Sequence, residues 1–294
     1  MGVRFANAPV SWGVDIVDWG PRPPYTKFLD ELKAAGFEGT ELGPYGYLPT
    51  DVSALKDQLD QRSLTLTAAF VGIKLKDPAA DLGEVTKVAE LLGPAGAEYL
   101  VLADTLWPER ETVAGRISES GVKFSDEDWT CAANNLRKAC QVATDNGLRP
   151  VFHHHVGTYV ETPEEVACLT ELSGIGICLD TGHYTYAGGD PVEAAKSLSG
   201  RVEHMHWKDI NPDRLATTLR EHLSFTQGVS AGVFGPLGDG SVAFRSLLNH
   251  LEATGYDGWI VVEQDVDVGD ESAPSPFESA CTSRKFLRSI MNRH

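Results

Sequence analysis

Short apolar runs alternate with longer amphipathic segments from one end of the chain to the other. The runs predict strands at Val3–Ala8, Gly39–Leu42, Leu64–Phe70, Tyr99–Ala103, Arg149–His155, Gly176–Asp180, Val202–Trp207 and Trp259–Glu263. Between them, apolar positions recur at helical spacing over Tyr25–Ala35, Val52–Arg62, Leu82–Leu92, Asp126–Asn146, Pro163–Leu172, Pro191–Ser197, Val242–Thr254 and Ser279–Asn292. Ser125 ahead of Asp126-Glu127-Asp128, Thr162-Pro163 and Asp190-Pro191 mark helix starts, and Gly36, Gly147 and Gly255 mark helix ends.

Strands alternating with helices predict parallel βαβ units. Eight such repeats in 294 residues favour a closed (β/α)8 TIM barrel, a single domain over residues 1–294, above an open doubly wound sheet. A dinucleotide-binding sheet would carry a glycine-rich turn after its first strand. The chain instead reads Pro9-Val10-Ser11-Trp12-Gly13, and it has no phosphate-binding P-loop. No Pro/Ser-rich linker divides it. Two connections exceed the usual length, Thr105–Lys123 and Asn211–Asp239, and are expected as loops over one face of the barrel.

Barrel enzymes place their chemistry at the C-terminal ends of the strands. Four of the predicted strands end in polar residues there: His153-His154-His155, Asp180-Thr181-Gly182-His183, His204-Met205-His206-Trp207-Lys208-Asp209 and Glu263-Gln264-Asp265. Alternation puts His153 and His155 on the face opposite Phe152 and His154. It also groups His204, His206 and Lys208, and Glu263 with Asp265. The inward set at the mouth is then His153, His155, Asp180, His183, His206, Lys208 and Glu263. Buried charges accumulate only where something pairs them. The four strand ends are therefore expected to converge on one divalent metal, with Asp180 central among its ligands. Mixed imidazole and carboxylate donors suit Mn2+ or Co2+, with Mg2+, Fe2+ and Zn2+ as the other choices.

Glu41, at the end of the second strand, reads as a substrate-hydroxyl ligand, a general base or a carboxylate paired across the barrel. Lys208 reads as a group for a substrate oxygen or enolate, or as an ion pair with Asp209 or Glu263. Trp12 and Trp207 could floor a sugar-ring site or be ordinary core. The turn Gly235–Gly240 is expected at the rim.

Composition narrows the partners. There are 42 acidic against 25 basic residues, a formal charge of -17, which opposes nucleic acid and anionic membranes. No run approaches the ~18 apolar residues of a membrane span, and the N-terminus lacks a secretory pattern. The five cysteines show no CxxC spacing and are expected as buried, reduced thiols in a cytoplasmic protein.

These residues resemble a known family, the xylose-isomerase-like barrels of sugar isomerases, epimerases and dehydratases. The resemblance is carried by Phe152-His153-His154-His155-Val156-Gly157-Thr158, Leu179-Asp180-Thr181-Gly182-His183, His204-Met205-His206-Trp207-Lys208-Asp209-Ile210, Gly238-Asp239-Gly240 and Val261-Val262-Glu263-Gln264-Asp265. The histidine run is most like a dehydratase subgroup. The resemblance covers essentially the whole chain. It implies a metal held by Asp180, His206 and Glu263. The family's strand-five carboxylate falls on His153, which is then either a fourth ligand or a departure from the pattern. It further implies water elimination from a cyclic keto-polyol such as 2-keto-myo-inositol, in myo-inositol catabolism. The alternative is a keto-sugar isomerase or epimerase on the same site. Glu41, His155, His183 and Lys208 are the candidate acids and bases, in no order that the sequence sets. Such barrels are often dimers or tetramers, so a homo-oligomer is compatible with the resemblance.

Overall fold

The computed structural model describes residues 2–15, 20–269 and 274–291. Eight parallel strands form its centre: β1 (Arg4–Asn7), β2 (Gly39–Thr40), β3 (Thr65–Leu66 and Phe70–Ile73), β4 (Tyr99–Asp104), β5 (Arg149–His153), β6 (Gly176–Asp180), β7 (Val202–Trp207) and β8 (Trp259–Val262). Parallel ladders run in the order β2-β1-β8-β7-β6-β5-β4. β3 closes the ring, because its first part pairs with β2 and its second with β4. Between the two parts, Thr67 donates to Thr40 O at 2.9 Å and Val101 donates to Ala69 O at 2.9 Å, so hydrogen bonding continues on both sides. The result is the (β/α)8 barrel that the alternation predicts.

Two apolar layers follow from the pleat. Tyr99, Val101, Val151 and Cys178 fill the barrel interior, with Ala6, Trp259 and Val261 beside them. Residues on the opposite strand faces, such as Phe5, Leu100, Phe152, Leu179 and Met205, pack against helix residues including Phe28, Leu32, Leu136, Leu169 and Leu247. The helices Tyr25–Ala35 and Pro191–Ser197 run as the sequence predicts, and the others differ by a few residues at their ends. Ser125 and Thr162 each close a capping box. Asn292, the expected end of the last helix, lies outside the described residues. Among those residues, no helix is long and apolar enough to cross a membrane.

Four expectations need correction. The third strand lies further along than Leu64–Phe70, extending to Ile73. The fifth ends at His153, so His155 belongs to the following turn. Only Cys178 of the five free cysteines is fully buried, because the other four sit on helices at positions that stay partly exposed. The long connection Asn211–Asp239 is not a bare loop. It holds helices Pro212–Arg220 and Phe225–Ser230 and a strand, Phe234–Gly235, antiparallel to Asp209–Ile210. Local caps start both helices, Asn211 ahead of Pro212 and the Ser224/Gln227 capping box. Val229, Val233, Phe225 and Phe234 of this segment pack with Ala114, Val156 and Tyr186 into a small second core.

Register decides what faces the lumen at the mouth. Ile177 pairs with Val202, but Cys178 pairs with His204, so Glu203 is an extra residue in β7. This bulge brings Asp180 opposite His206. Without it Asp180 would meet Met205, which faces the outer core.

The connections over the mouth are tied down by a buried ion pair. Arg110 Nη1 and Nη2 donate to Glu165 Oε1 and Oε2 at 2.9 and 2.8 Å, and Nη1 also donates to Val122 O at 2.6 Å. Glu161 lies beside them, with Arg110 Nη2 3.9 Å from its Oε2. It accepts from Gly115 N and Gly157 N, both at 2.7 Å, while burial pushes its carboxyl up to about 7. Arg110→Met is expected to cost about 3–5 kcal/mol, since it leaves buried carboxylates without their cation. Urea unfolding would read this as a lowered midpoint, and an unchanged midpoint would show that the pair does not hold these loops.

Candidate metal centre and active site

The Asp-Thr-Gly-His turn after β6 builds one wall of the site, and each residue has a separate task. Asp180 Oδ1 accepts from His183 N at 2.8 Å, capping the helix Thr181–Tyr186 and leaving Oδ2 turned to the lumen. Thr181 Oγ1 donates to Lys208 O and accepts from Lys208 N, both at 2.8 Å, which locks the end of β7 to this turn. Gly182 leaves room for Lys208, because a Cβ there would lie 2.7 Å from Lys208 Cβ. His183 then sets Nε2 3.1 Å from Lys208 Nζ.

His153, Asp180, His206 and Glu263 each offer one ligand atom, all within 4.8 Å of one another. His153 Nε2 is 3.3 Å from Asp180 Oδ2. His206 Nδ1 is 3.2 Å from Glu263 Oε2 and 4.0 Å from Asp180 Oδ2. Although near these oxygens, His206 Nδ1 is in hydrogen-bond geometry with no described partner, and neither is His153 Nδ1. Burial opposes charge on Asp180 and Glu263. Lys208 and a hydrogen bond with His153 outweigh it at Asp180, and His206 and Lys208 at Glu263, so both carboxyls stay below the usual range. Burial also opposes a proton on His206, yet Cys178 and the Glu263 and Glu41 carboxylates beside it hold its pKa well above the ordinary value. His153 is lowered by burial despite Asp180.

A second group of polar side chains adjoins the first. Lys208 Nζ lies 2.9 Å from Asp265 Oδ1, 3.3 Å from Glu263 Oε2 and 3.5 Å from Asp180 Oδ2. Burial opposes its charge, but these carboxylates raise its pKa above the ordinary lysine value. His155 and His183 stack with ring centroids 3.8 Å apart. Burial, reinforced by neighbouring cations and imidazoles, holds both well below the usual histidine value, so both are neutral at neutral pH. His155 Nδ1 donates to Val156 O at 2.7 Å, which leaves the lone pair on Nε2. Burial pushes Asp265 up to about 7. A cationic amine, two neutral imidazoles and a carboxylate in mutual contact are the equipment of proton transfer.

The two groups open on one cavity of about 390 Å³, walled by Tyr45, Phe70, Leu106 and Phe225 and reached by Glu41, His153, His155, Lys208, Glu263 and Asp265. Trp12 and Trp207 take no part in it. Trp12 packs on Phe28 and donates to Glu31, and Trp207 packs between Phe5 and Phe244. Asp209 is not the partner of Lys208. It accepts four backbone N–H bonds, from Ile210, Gly238, Gly240 and Val242, and so anchors the glycine turn at the rim.

Sequence reasoning left three contributors outside the inward set. Asp265 contacts Lys208 more closely than Glu263 does. His204 bonds Glu41 through Nε2 at 2.9 Å, as does His206. His154, though on the other face, accepts from Asp180 N through Nε2 at 3.2 Å. Alternation had grouped His204 and Asp265 with their inward neighbours, and that signal was sufficient to find both.

The donor set suits a divalent cation. Two nitrogens and two carboxylate oxygens lie within 4.8 Å of one another, donors of the kind that bind such an ion at ~2.1 Å. The unpaired His206 Nδ1 and the excess of buried carboxylate charge are what such an ion would satisfy.

The same architecture recurs in known proteins. A family model for the xylose isomerase-like TIM barrel matches residues 29–290. Inosose dehydratase from Clostridium botulinum (strain Alaska E43 / Type E3) is 32% identical over 292 residues, covering 97% of this chain and 96% of that protein. The rhizopine catabolism protein MocC of Rhizobium meliloti is 35% identical over 272 residues, covering 91% of this chain and 83% of its own length. Among solved structures, the IOLI protein with a binding zinc atom shares the fold, with a TM-score of 0.72 at 14% identity and 98% of each chain covered. With a family model over most of its length and relatives above 30% identity, the chain belongs to the xylose isomerase-like TIM barrel family.

Proposed function

We propose that this protein is a metal-dependent dehydratase, a carbon–oxygen lyase that eliminates water from a cyclic keto-polyol of the inosose class in inositol catabolism. One observation carries the reading. His153, Asp180, His206 and Glu263 converge beside the cavity that His153 and Glu263 line, next to Lys208 and two neutral histidines. The near full-length similarity to inosose dehydratases supports the substrate class.

His153, Asp180, His206 and Glu263 would hold the ion, and Mn2+ or Co2+ suits the mixed nitrogen and oxygen donors. When bound, it supplies Lewis-acid polarisation of the substrate ketone. The side chains divide the remaining work. The aromatic walls, Phe70 and Phe225, pack on the ring faces. Lys208, kept cationic by its carboxylates, faces the oxygen on which enolate charge develops. His155 and His183, both neutral, stand ready as base and proton carrier. A base takes the proton α to the ketone and the carbon–oxygen bond at the β position breaks. The hydroxyl leaves as water with a proton from the site, and the enol that remains tautomerises to a 1,2-dione. No electron acceptor is needed, in keeping with the lack of a dinucleotide motif. The five free cysteines support a reducing, cytoplasmic setting.

Incubation with 2-keto-myo-inositol is expected to give a product lighter by one water. A product of unchanged mass would identify an isomerase or epimerase instead. Asp180→Asn should lose both bound divalent metal and turnover, and retention of both would sink the metal-centre reading. Treatment with a chelator should abolish activity and lower the thermal midpoint, with Mn2+ or Co2+ restoring both. Gly182→Ala forces a methyl group against Lys208. It is expected to lower kcat by about tenfold or more, as for a misplaced catalytic group, while metal content stays at the wild-type level by elemental analysis.

A further inference from the structure

Glu41 lines the cavity, yet its Oε1 is occupied by two imidazoles. His206 Nε2 and His204 Nε2 both lie 2.9 Å from it. An ionised carboxylate can only accept, so both Nε2 atoms carry the hydrogen. That settles the geometry of His206. With Nε2–H turned to Glu41, the ring presents Nδ1 to Glu263 Oε2 at 3.2 Å and to Asp180 Oδ2 at 4.0 Å.

We infer that Glu41 is a positioning residue, which orients His206 so that Nδ1 faces the cation, and that His204 holds Glu41 in place from below. The inference rests on the reading of His206 as a metal ligand. Buried imidazole ligands typically donate their second N–H to a carboxylate, which sets both tautomer and ring orientation. Here that carboxylate comes from β2, on the far side of β1 and β8 from β7, so the bond crosses the lumen.

His204 gives the independent sign. It is fully buried, and its Nδ1 has no hydrogen-bond partner among the described residues. Its ring lies against Tyr99 at 5.0 Å, tilted by 33°. Glu41 is the acceptor for its remaining nitrogen. A histidine placed in the barrel interior to donate one bond to Glu41 is unexplained if Glu41 is a mobile acid–base group. It is explained if Glu41 must stay still.

The test is metal affinity. Dissociation constants for Mn2+ and Zn2+ are measured by competition with a chromophoric chelator for wild type, Glu41→Gln, Glu41→Ala, His204→Ala and Asp180→Asn. Circular dichroism checks the fold, and Co2+ absorption reports the ligand field. Glu41→Ala is expected to weaken binding about 10–100-fold. Glu41→Gln should fall between it and wild type, since its amide oxygen still accepts from His206. His204→Ala should shift affinity in the same direction by less. The Co2+ bands should change in the Glu41 variants. If Glu41→Ala does not fold, Glu41→Gln, close in shape to glutamate, carries the comparison. Wild-type affinity and Co2+ bands in a folded Glu41→Gln whose turnover is lost would overturn the inference and make Glu41 a group that acts on substrate. Failure of wild type itself to bind any divalent ion would overturn the metal reading together with this one. Retained binding in wild type with loss in Asp180→Asn separates the two cases.

Discussion

Asp180 is the residue on which the rest of the site depends, because its three polar positions are used in three directions. Its amide nitrogen bonds His154, its Oδ1 caps the helix Thr181–Tyr186, and its Oδ2 faces His153 and Lys208. A carboxylate with one oxygen locked by a backbone N–H cannot rotate freely. The other oxygen is therefore a fixed negative charge at the centre of the barrel mouth. Fixing it costs desolvation, and the neighbours recover that cost.

That requirement spreads outward. Glu41, Asp180, Glu263 and Asp265 are all buried within one small volume. Four carboxylates could not stay ionised there without cations, and the chain supplies Lys208 and a proton on His206. A divalent ion could take over from that proton. The same logic explains Gly182, which admits the Lys208 stem, and Asp209, which turns away to anchor the rim by accepting backbone N–H bonds. Above the mouth, Arg110 plays the compensating part for Glu161 and Glu165.

Much of this was legible in one dimension. Alternating runs and amphipathic segments carried the barrel, because strand and helix periods depend on local burial alone. The polar ends of β5 to β8 carried the neighbourhood of the site, because a barrel sends every strand end to one mouth. Asp180 as a helix cap could also be read, since an aspartate three residues before an N–H needing a partner is a local arrangement. The helices inside residues 211–239 are marked locally too, by the caps at Asn211 and Ser224, amid glycines that by themselves signal a loop.

The sequence by itself determined the barrel and the side chains gathered at its mouth, both properties of short segments. Only the tertiary structure decided how those segments meet. Glu203 as an extra residue in β7 shifts its register against β6, and so sets His206 against Asp180. The end of β5 at His153 lets His155 turn back and stack on His183. The convergence of His204 and His206 on Glu41 joins residues more than 160 positions apart. Register and closure are relations between strands, fixed by hydrogen-bond pairing across the ring. No periodicity within one strand contains them.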